Sequence, residues 1–197
     1  MKKEIPKITF PKLKLTVTKK DGYCYHLYEE KDEFIFKDFT HPPKDFCAGI
    51  LHSVFPCLYA LTFGANFPFR DNQRSIETFC PDGGKMAFKV EVLDENGKVI
   101  ESHPENIQTK PSPKTMEIEV EEARGNCPYG YKKGDRFKIV GLKTPEGFCG
   151  AAYHLLFPVL FALNFGASFY FEKDPHCKTG IACPDGAKVK FKVRKLK

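Results

Sequence analysis

The residues best suited to chemistry are eight cysteines: Cys24, Cys47, Cys57, Cys80, Cys127, Cys149, Cys177 and Cys183. As thiolates they are soft metal ligands and nucleophiles. Six form two triplets, Cys24–Cys47–Cys80 and Cys127–Cys149–Cys183, separated by 23 and 33 residues in the first and 22 and 34 in the second. No C-x-x-C occurs, so zinc-ribbon and ferredoxin spacings are absent. The opening Met1-Lys2-Lys3-Glu4-Ile5-Pro6 has no apolar run behind it, so no secretory signal is expected and the expected compartment is the cytoplasm. There, clustered cysteines serve more often as metal ligands or redox centres than as disulfides.

Three of the six, Cys80, Cys127 and Cys183, precede a proline. In iron–sulfur proteins a proline at that place fixes the turn and removes a competing N–H. Three thiolates with one open or histidine position suit a 4Fe–4S cluster with a free iron, or a Cys₃His zinc. The triplets can hold two separate centres, or join in one larger bridged cluster at a pseudo-twofold axis. A redox or sulfur-carrying thiol site, and small buried thiols in an aromatic core, stay open beside the metal reading.

Other candidates are weaker. His52 and His154 match each other, five residues after Cys47 and Cys149. Five residues turn a helix through about 140°, away from the cysteine, so each is read first as a core histidine bonding a backbone carbonyl and second as a metal ligand. Cys177 lies six residues before Cys183 and is a candidate fourth ligand for the second triplet, whereas Cys57 aligns with Val159 and reads as an inert core thiol. His26, His41, His103 and His176 are unmatched and loop-like. Asp32 with Asp135, and Asp82 with Asp185, are matched acids placed where aspartate caps turn N–H groups. There is no P-loop, G-x-G-x-x-G, G-x-S-x-G or H-E-x-x-H, so whether a reaction is catalysed stays open.

The elements that must position these thiols are written twice. Phe46–Phe69 aligns without a gap on Phe148–Phe171, with 13 of 24 positions identical, against one or two for unrelated segments. Residues 12–93 form repeat one and 116–197 repeat two; 1–11 is a lead, and 94–115, with Asn96-Gly97, Pro104, Pro111 and Pro113, is a turn followed by a linker. In each copy Leu13–Val17 or Met116–Val120 alternates apolar and polar as a half-buried strand does, Glu33–Phe36 or Arg136–Val140 reads as a second strand, and Met86–Val92 or Val189–Val193 as the third. Between the second and third lies an apolar helical block whose Pro56 or Pro158 predicts a kinked helix or a helix pair. The predicted fold class is α+β: two tandem homologous repeats, each a small antiparallel sheet on a buried helix, related by a pseudo-twofold. Each first cysteine then follows a strand, each second opens the helix, and each third precedes the tight turn Pro-Asp-Gly.

The run from Gly147 to Phe171 has no charged residue in 25 positions, long enough to span a bilayer. His154, Pro158, Asn164 and the flanking strands argue for a core helix instead, and no membrane association is expected. Composition is that of a globular chain, 42% hydrophobic and 28% charged, which excludes disordered and collagen-like order. Nineteen phenylalanines and no tryptophan predict a core of plain aromatic packing. The net charge of +6 is spread out; it allows an acidic protein redox partner and asks for no nucleic acid. Lys188, Lys190, Lys192 and Arg194 alternate with Val189, Phe191 and Val193, the pattern of a strand's solvated face.

Copy two reads Cys127-Pro128-Tyr129-Gly130-Tyr131-Lys132-Lys133-Gly134-Asp135, then Thr144-Pro145-Glu146-Gly147-Phe148-Cys149-Gly150, with Ala152, His154, Pro158, Phe165-Gly166 and Cys183-Pro184-Asp185 beyond. These motifs resemble a family of small three-cysteine repeat proteins, mostly of anaerobic bacteria and archaea, whose function is not settled. Repeat one departs from the pattern at Tyr25, Lys31 and Thr40-His41-Pro42-Pro43, yet keeps all three cysteines. The anaerobic setting that the resemblance implies favours oxygen-sensitive iron–sulfur chemistry over zinc.

Overall fold

A computed structural model describes residues 9–196. Residues 1–8 of the lead, with Lys2, Lys3 and Lys7, and the terminal Lys197 lie outside the described part. Ten elements follow in order: β1 (Leu13–Lys20), β2 (Glu33–Phe36), α1 (Ala48–Thr62), β3 (Ser75–Phe79), β4 (Met86–Val92), β5 (Thr115–Ala123), β6 (Arg136–Val140), α2 (Gly150–Asn164), β7 (Cys177–Ala182) and β8 (Val189–Lys195). They make two antiparallel four-stranded sheets, ordered β2-β1-β4-β3 and β6-β5-β8-β7, each packed on its own helix. The α+β duplication is therefore present, with one more strand per repeat than the sequence pattern predicts.

Alternation builds the sheets. Leu13, Leu15 and Val17 on β1 and Met86, Phe88, Val90 and Val92 on β4 are all at most 1% exposed, as are Met116, Ile118, Val120, Val189, Phe191 and Val193 in the second sheet. Each such side chain contributes about 1.5–3 kcal/mol when fully withdrawn from water. The opposite face carries ion pairs, among them Lys192–Glu119 at 2.9 Å and Lys190–Glu122 at 3.1 Å across β8 and β5. The lysine-rich C-terminal strand is thus a ladder partnered by glutamates on its outer face. The same bulge recurs in both sheets, between Val17 and Lys19 and between Val120 and Glu122.

Each apolar block resolves into a single 15-residue helix that contains its proline. Of the two forms expected, a helix holding its proline or a helix pair, the first is present, and no helix among the described residues is long and apolar enough to cross a membrane. Nor is either helix buried all round. One face lies on its sheet and a second on the other helix, while His52, Ala151, His154 and Leu155 are exposed.

The two repeats meet helix to helix under twofold logic. Asn66 N–H donates to Phe165 O at 3.0 Å, and the reciprocal bond runs from Ser168 N–H to Phe63 O at 2.8 Å. Around them Phe67 packs on Phe165 at 4.9 Å and Phe169 on Phe63 at 5.1 Å. Because 63/165 and 67/169 are matched positions, these exchanges are one contact made twice. Between the repeats, Asp94–Lys98 closes the predicted Asn96-Gly97 turn, and the linker then runs back along repeat one, where Gln73 N–H bonds Ser102 O.

Candidate functional site

The fold brings the three loops carrying each triplet to one end of each sheet. β1 ends at Lys20 opposite Met86 at the start of β4, and β3 ends at Phe79 opposite Ala87. Cys24, just past β1, and Cys80, in the β3–β4 hairpin, therefore share an edge. Cys47 joins them as the N-cap of α1, as Cys149 does for α2. Cys24, Cys47 and Cys80 line one cavity of about 160 Å³ with Tyr25, His26 and Lys85. Cys127, Cys149 and Cys183 line a second of about 180 Å³ with Tyr129, Tyr131 and Lys188. No residue is common to the two linings, so each triplet lines a cavity of its own. All six thiols are free and partly buried. Among the described residues, no three histidine, cysteine or acidic side chains stand as a ready-made metal-holding group.

Each helix start leaves its first N–H groups without a side-chain cap, and no acidic residue lies in the first turn. The positive end of the helix dipole thus faces the cavity, where it favours a thiolate. In the second site Val189 N–H points at Cys183 Sγ at 3.4 Å, and that sulfur lies 3.6 Å from Asp185 O. Asp32 and Asp135 act as the sequence predicts, accepting the N–H of Glu29 at 2.8 Å and of Lys132 at 2.7 Å. The side chains of Asp82 and Asp185 differ: they pair with Lys85 at 3.0 Å and Lys188 at 2.9 Å at the cavity rims. The Asp185 bond holds the Lys188 ammonium above its ordinary range, and the nearby Cys127 and Cys183 sulfurs add to the effect.

A tyrosine that sequence reasoning missed holds each helix cysteine in place. The Tyr28 hydroxyl accepts the Cys47 N–H at 3.0 Å, and Tyr131 accepts that of Cys149 at 2.8 Å. Tyr28 is wedged between Phe34 and Phe46, and Tyr131 between Phe137 and Phe148. Burial raises both phenols above their ordinary range, and the adjacent thiols, Cys47 with Cys24 and Cys149 with Cys127, push the same way. The signal was present: each tyrosine stands four residues after its first cysteine. His26 was also passed over, as an unmatched loop residue, yet it lines the first cavity where Tyr129 lines the second.

Backbone strain concentrates in the same loops. Among the described residues, the four non-glycine residues with positive φ are Leu27 (58°), Lys31 (74°), Asp45 (56°) and Ala187 (54°). Each matches a glycine of the other repeat, in order Gly130 (64°), Gly134 (93°), Gly147 (68°) and Gly84 (70°). The turns that present the cysteines thus keep one geometry in both copies even where an L side chain opposes it.

Two expectations are corrected and one is met. His52 and His154 are neither core histidines bonded to a carbonyl nor part of a thiol cavity; both are exposed and stack on each other at 5.3 Å. The cause is the 140° turn, which carries them off the cysteine face onto the helix–helix seam. Cys177 is buried at the first position of β7, with the whole strand between it and Cys183. At about 3.3 Å per residue, and allowing for the β7 bulge, that puts it roughly 15–20 Å away, too far for a shared ion. Cys57 is the inert thiol expected: it is 8% exposed, and burial pushes its pKa up to about 12.

No family model, curated protein or solved structure matches the chain.

Proposed function

We propose that this protein binds iron–sulfur clusters at two three-cysteine sites, one per repeat, held by Cys24, Cys47 and Cys80 and by Cys127, Cys149 and Cys183. The observation that carries the reading is the lining: the three matched thiols of each copy, and no cysteine outside the triplet, meet at one small cavity at a helix N-terminus. The donor set fits a soft, thiolate-ligated group, and a backbone N–H aimed at Cys183 Sγ suits a charged sulfur. A cluster there would supply one-electron transfer, or an iron free of protein ligands to which a substrate can bind. Tyr28 and Tyr131 fix the helix cysteines, and the Lys85–Asp82 and Lys188–Asp185 pairs stand at the rims. Tyr23, Tyr25 and Leu27, at 68, 83 and 69% exposure around the first mouth, offer a partner a largely apolar landing. The resemblance to the anaerobic three-cysteine family favours the same chemistry.

A second reading, a structural module with zinc-bound or simply packed thiols, draws on His26. It gives the first cavity the donors of a Cys₃His zinc, and the contact of Cys183 Sγ with Asp185 O suits a protonated thiol. Strictly anaerobic purification with a visible spectrum and iron, zinc and sulfide analysis separates the two. Brown protein with labile sulfide, bleached by Cys47→Ser and Cys149→Ser together but not by Cys57→Ser, is the expected result. Colourless protein with zinc, or with eight free thiols and no metal after anaerobic reconstitution, overturns it.

A further inference from the structure

The residues left over from the thiol cavities include the two matched histidines, and their surroundings are specific. His52 and His154 project from facing helices at the pseudo-twofold, with ring centroids 5.3 Å apart and planes 23° apart. Both are exposed, and neither ring has a hydrogen-bond partner among the described residues. They stand in an open groove of about 400 Å³ whose other lining includes Phe55, Pro56, Phe157 and Pro158. His, Phe and Pro are identical in both copies here, whereas Leu51 has become Tyr153 and Ser53 has become Leu155.

The prolines add a second feature. A helical proline has no N–H to give the carbonyl four residues back. Four residues before Pro56 and Pro158 stand His52 and His154 themselves. The carbonyls of His52 and His154 therefore receive no N–H from the residue four places on. Two imidazoles without side-chain hydrogen-bond partners thus face each other at the pseudo-twofold between the repeats.

We propose that His52 and His154 together bind a first-row transition-metal ion, Zn²⁺ or Cu²⁺, at a site distinct from the thiol cavities. Imidazole nitrogen is a preferred donor for both ions. With metal–nitrogen bonds of about 2.05 Å and a tetrahedral angle, two coordinating imidazoles have centroids about 5.2 Å apart, close to the separation of these rings, which must turn out of their stacked arrangement to aim one nitrogen each at the ion. Two waters fill the coordination on the open side. An ion held this way ties α1 to α2 and therefore stabilises the seam between repeats. This proposal does not depend on what the cysteines hold.

The test uses the full chain with its histidine rings followed by long-range ¹H–¹⁵N NMR, which reads imidazole nitrogens whatever the thiols bind. On adding Zn²⁺, the ring nitrogens of His52 and His154 are expected to shift together while the exposed His103 stays fixed. His52→Ala and His154→Ala, at exposed positions, are each expected to lose one equivalent of zinc in equilibrium dialysis and to abolish the zinc-dependent rise in thermal midpoint. His103→Ala keeps both. Unmoved His52 and His154 resonances at 1 mM Zn²⁺, or an undiminished zinc count in either variant, overturns the proposal. Cysteine variants that lose thiol-bound metal but keep the histidine shifts show the two readings failing or standing apart.

Discussion

Lys31 and Gly134 occupy one turn in the two repeats and allow a reciprocal swap. Lys31 N–H bonds Val17 O at 2.9 Å, and Gly134 N–H bonds Val120 O at 2.9 Å, with φ of 74° and 93°. The Lys31 side chain is exposed, and a Cβ built on Gly134 would meet nothing within 4 Å, so the exchange changes backbone energy and little else. A left-handed non-glycine residue costs roughly 1–2 kcal/mol. Glycine returns about 0.5–1 kcal/mol of that through the extra freedom of the unfolded chain. Lys31→Gly should therefore stabilise the protein by about 0.5–1 kcal/mol, and Gly134→Lys should destabilise it by a similar amount. In a chain of this size that is a shift of about 1–4 °C in thermal midpoint, in opposite directions. Urea unfolding of both variants with unchanged m-value is the assay. A destabilised Lys31→Gly, or a neutral Gly134→Lys, would show that the shared turn geometry is not the source of the strain.

Removing either tyrosine hydroxyl, by Tyr28→Phe or Tyr131→Phe, leaves a helix-start N–H without its acceptor; each should cost about 1–3 kcal/mol in urea unfolding, and the double variant should be additive because the residues lie in different repeats. Cys57, with a folded pKa of about 12 against an ordinary value of 9.0, keeps its proton when the unfolded chain has lost it. Stability is therefore full below pH 9 and falls as pH rises from there toward 12, by at most about 1.4 kcal/mol per pH unit, and Cys57→Ala should flatten that part of the profile. His26→Ala separates the two readings: a Cys₃His zinc should lose metal from the first site alone, about half the total, whereas a cluster held by three cysteines should keep its metal.

The duplication, the alternating strands and the helix starting at Cys47 and Cys149 could be read from the sequence because each rests on a local pattern. The missing strands could not. Ser75–Phe79 is a short edge strand that ends on an exposed Phe79, and Cys177–Ala182 is interrupted by a bulge at Gly180, so neither shows the period of two. Helical geometry alone took His52 and His154 away from the thiols, but the surface that received them depends on how the repeats pack, which no period reports. Tyr28 and Tyr131 were hidden differently: a tyrosine among so many phenylalanines reads as core until its hydroxyl finds the Cys47 or Cys149 N–H.

The glycine exchanges bear on what the thiols are for. Buried thiols that merely fill space would tolerate a loop that relaxed once its glycine was lost. Repeat one instead holds Leu27, Lys31 and Asp45 in the left-handed conformation, and repeat two holds Ala187 there, all in loops that present a cysteine. At roughly 1–2 kcal/mol apiece, these strains are a sizeable fraction of a domain's net stability. Strain of this kind persists where the surrounding structure over-determines it, and it clusters at sites where geometry matters. The aspartate bonds to Glu29 and Lys132 N–H, the tyrosine bonds to Cys47 and Cys149 N–H, and the hairpins after Cys80 and Cys183 supply that over-determination in both copies. If presenting three sulfurs to one cavity is what is being kept, relaxing Lys31 to glycine should leave metal content unchanged while raising stability. Replacing Tyr28, which fixes the sulfur-bearing helix start itself, should lower both.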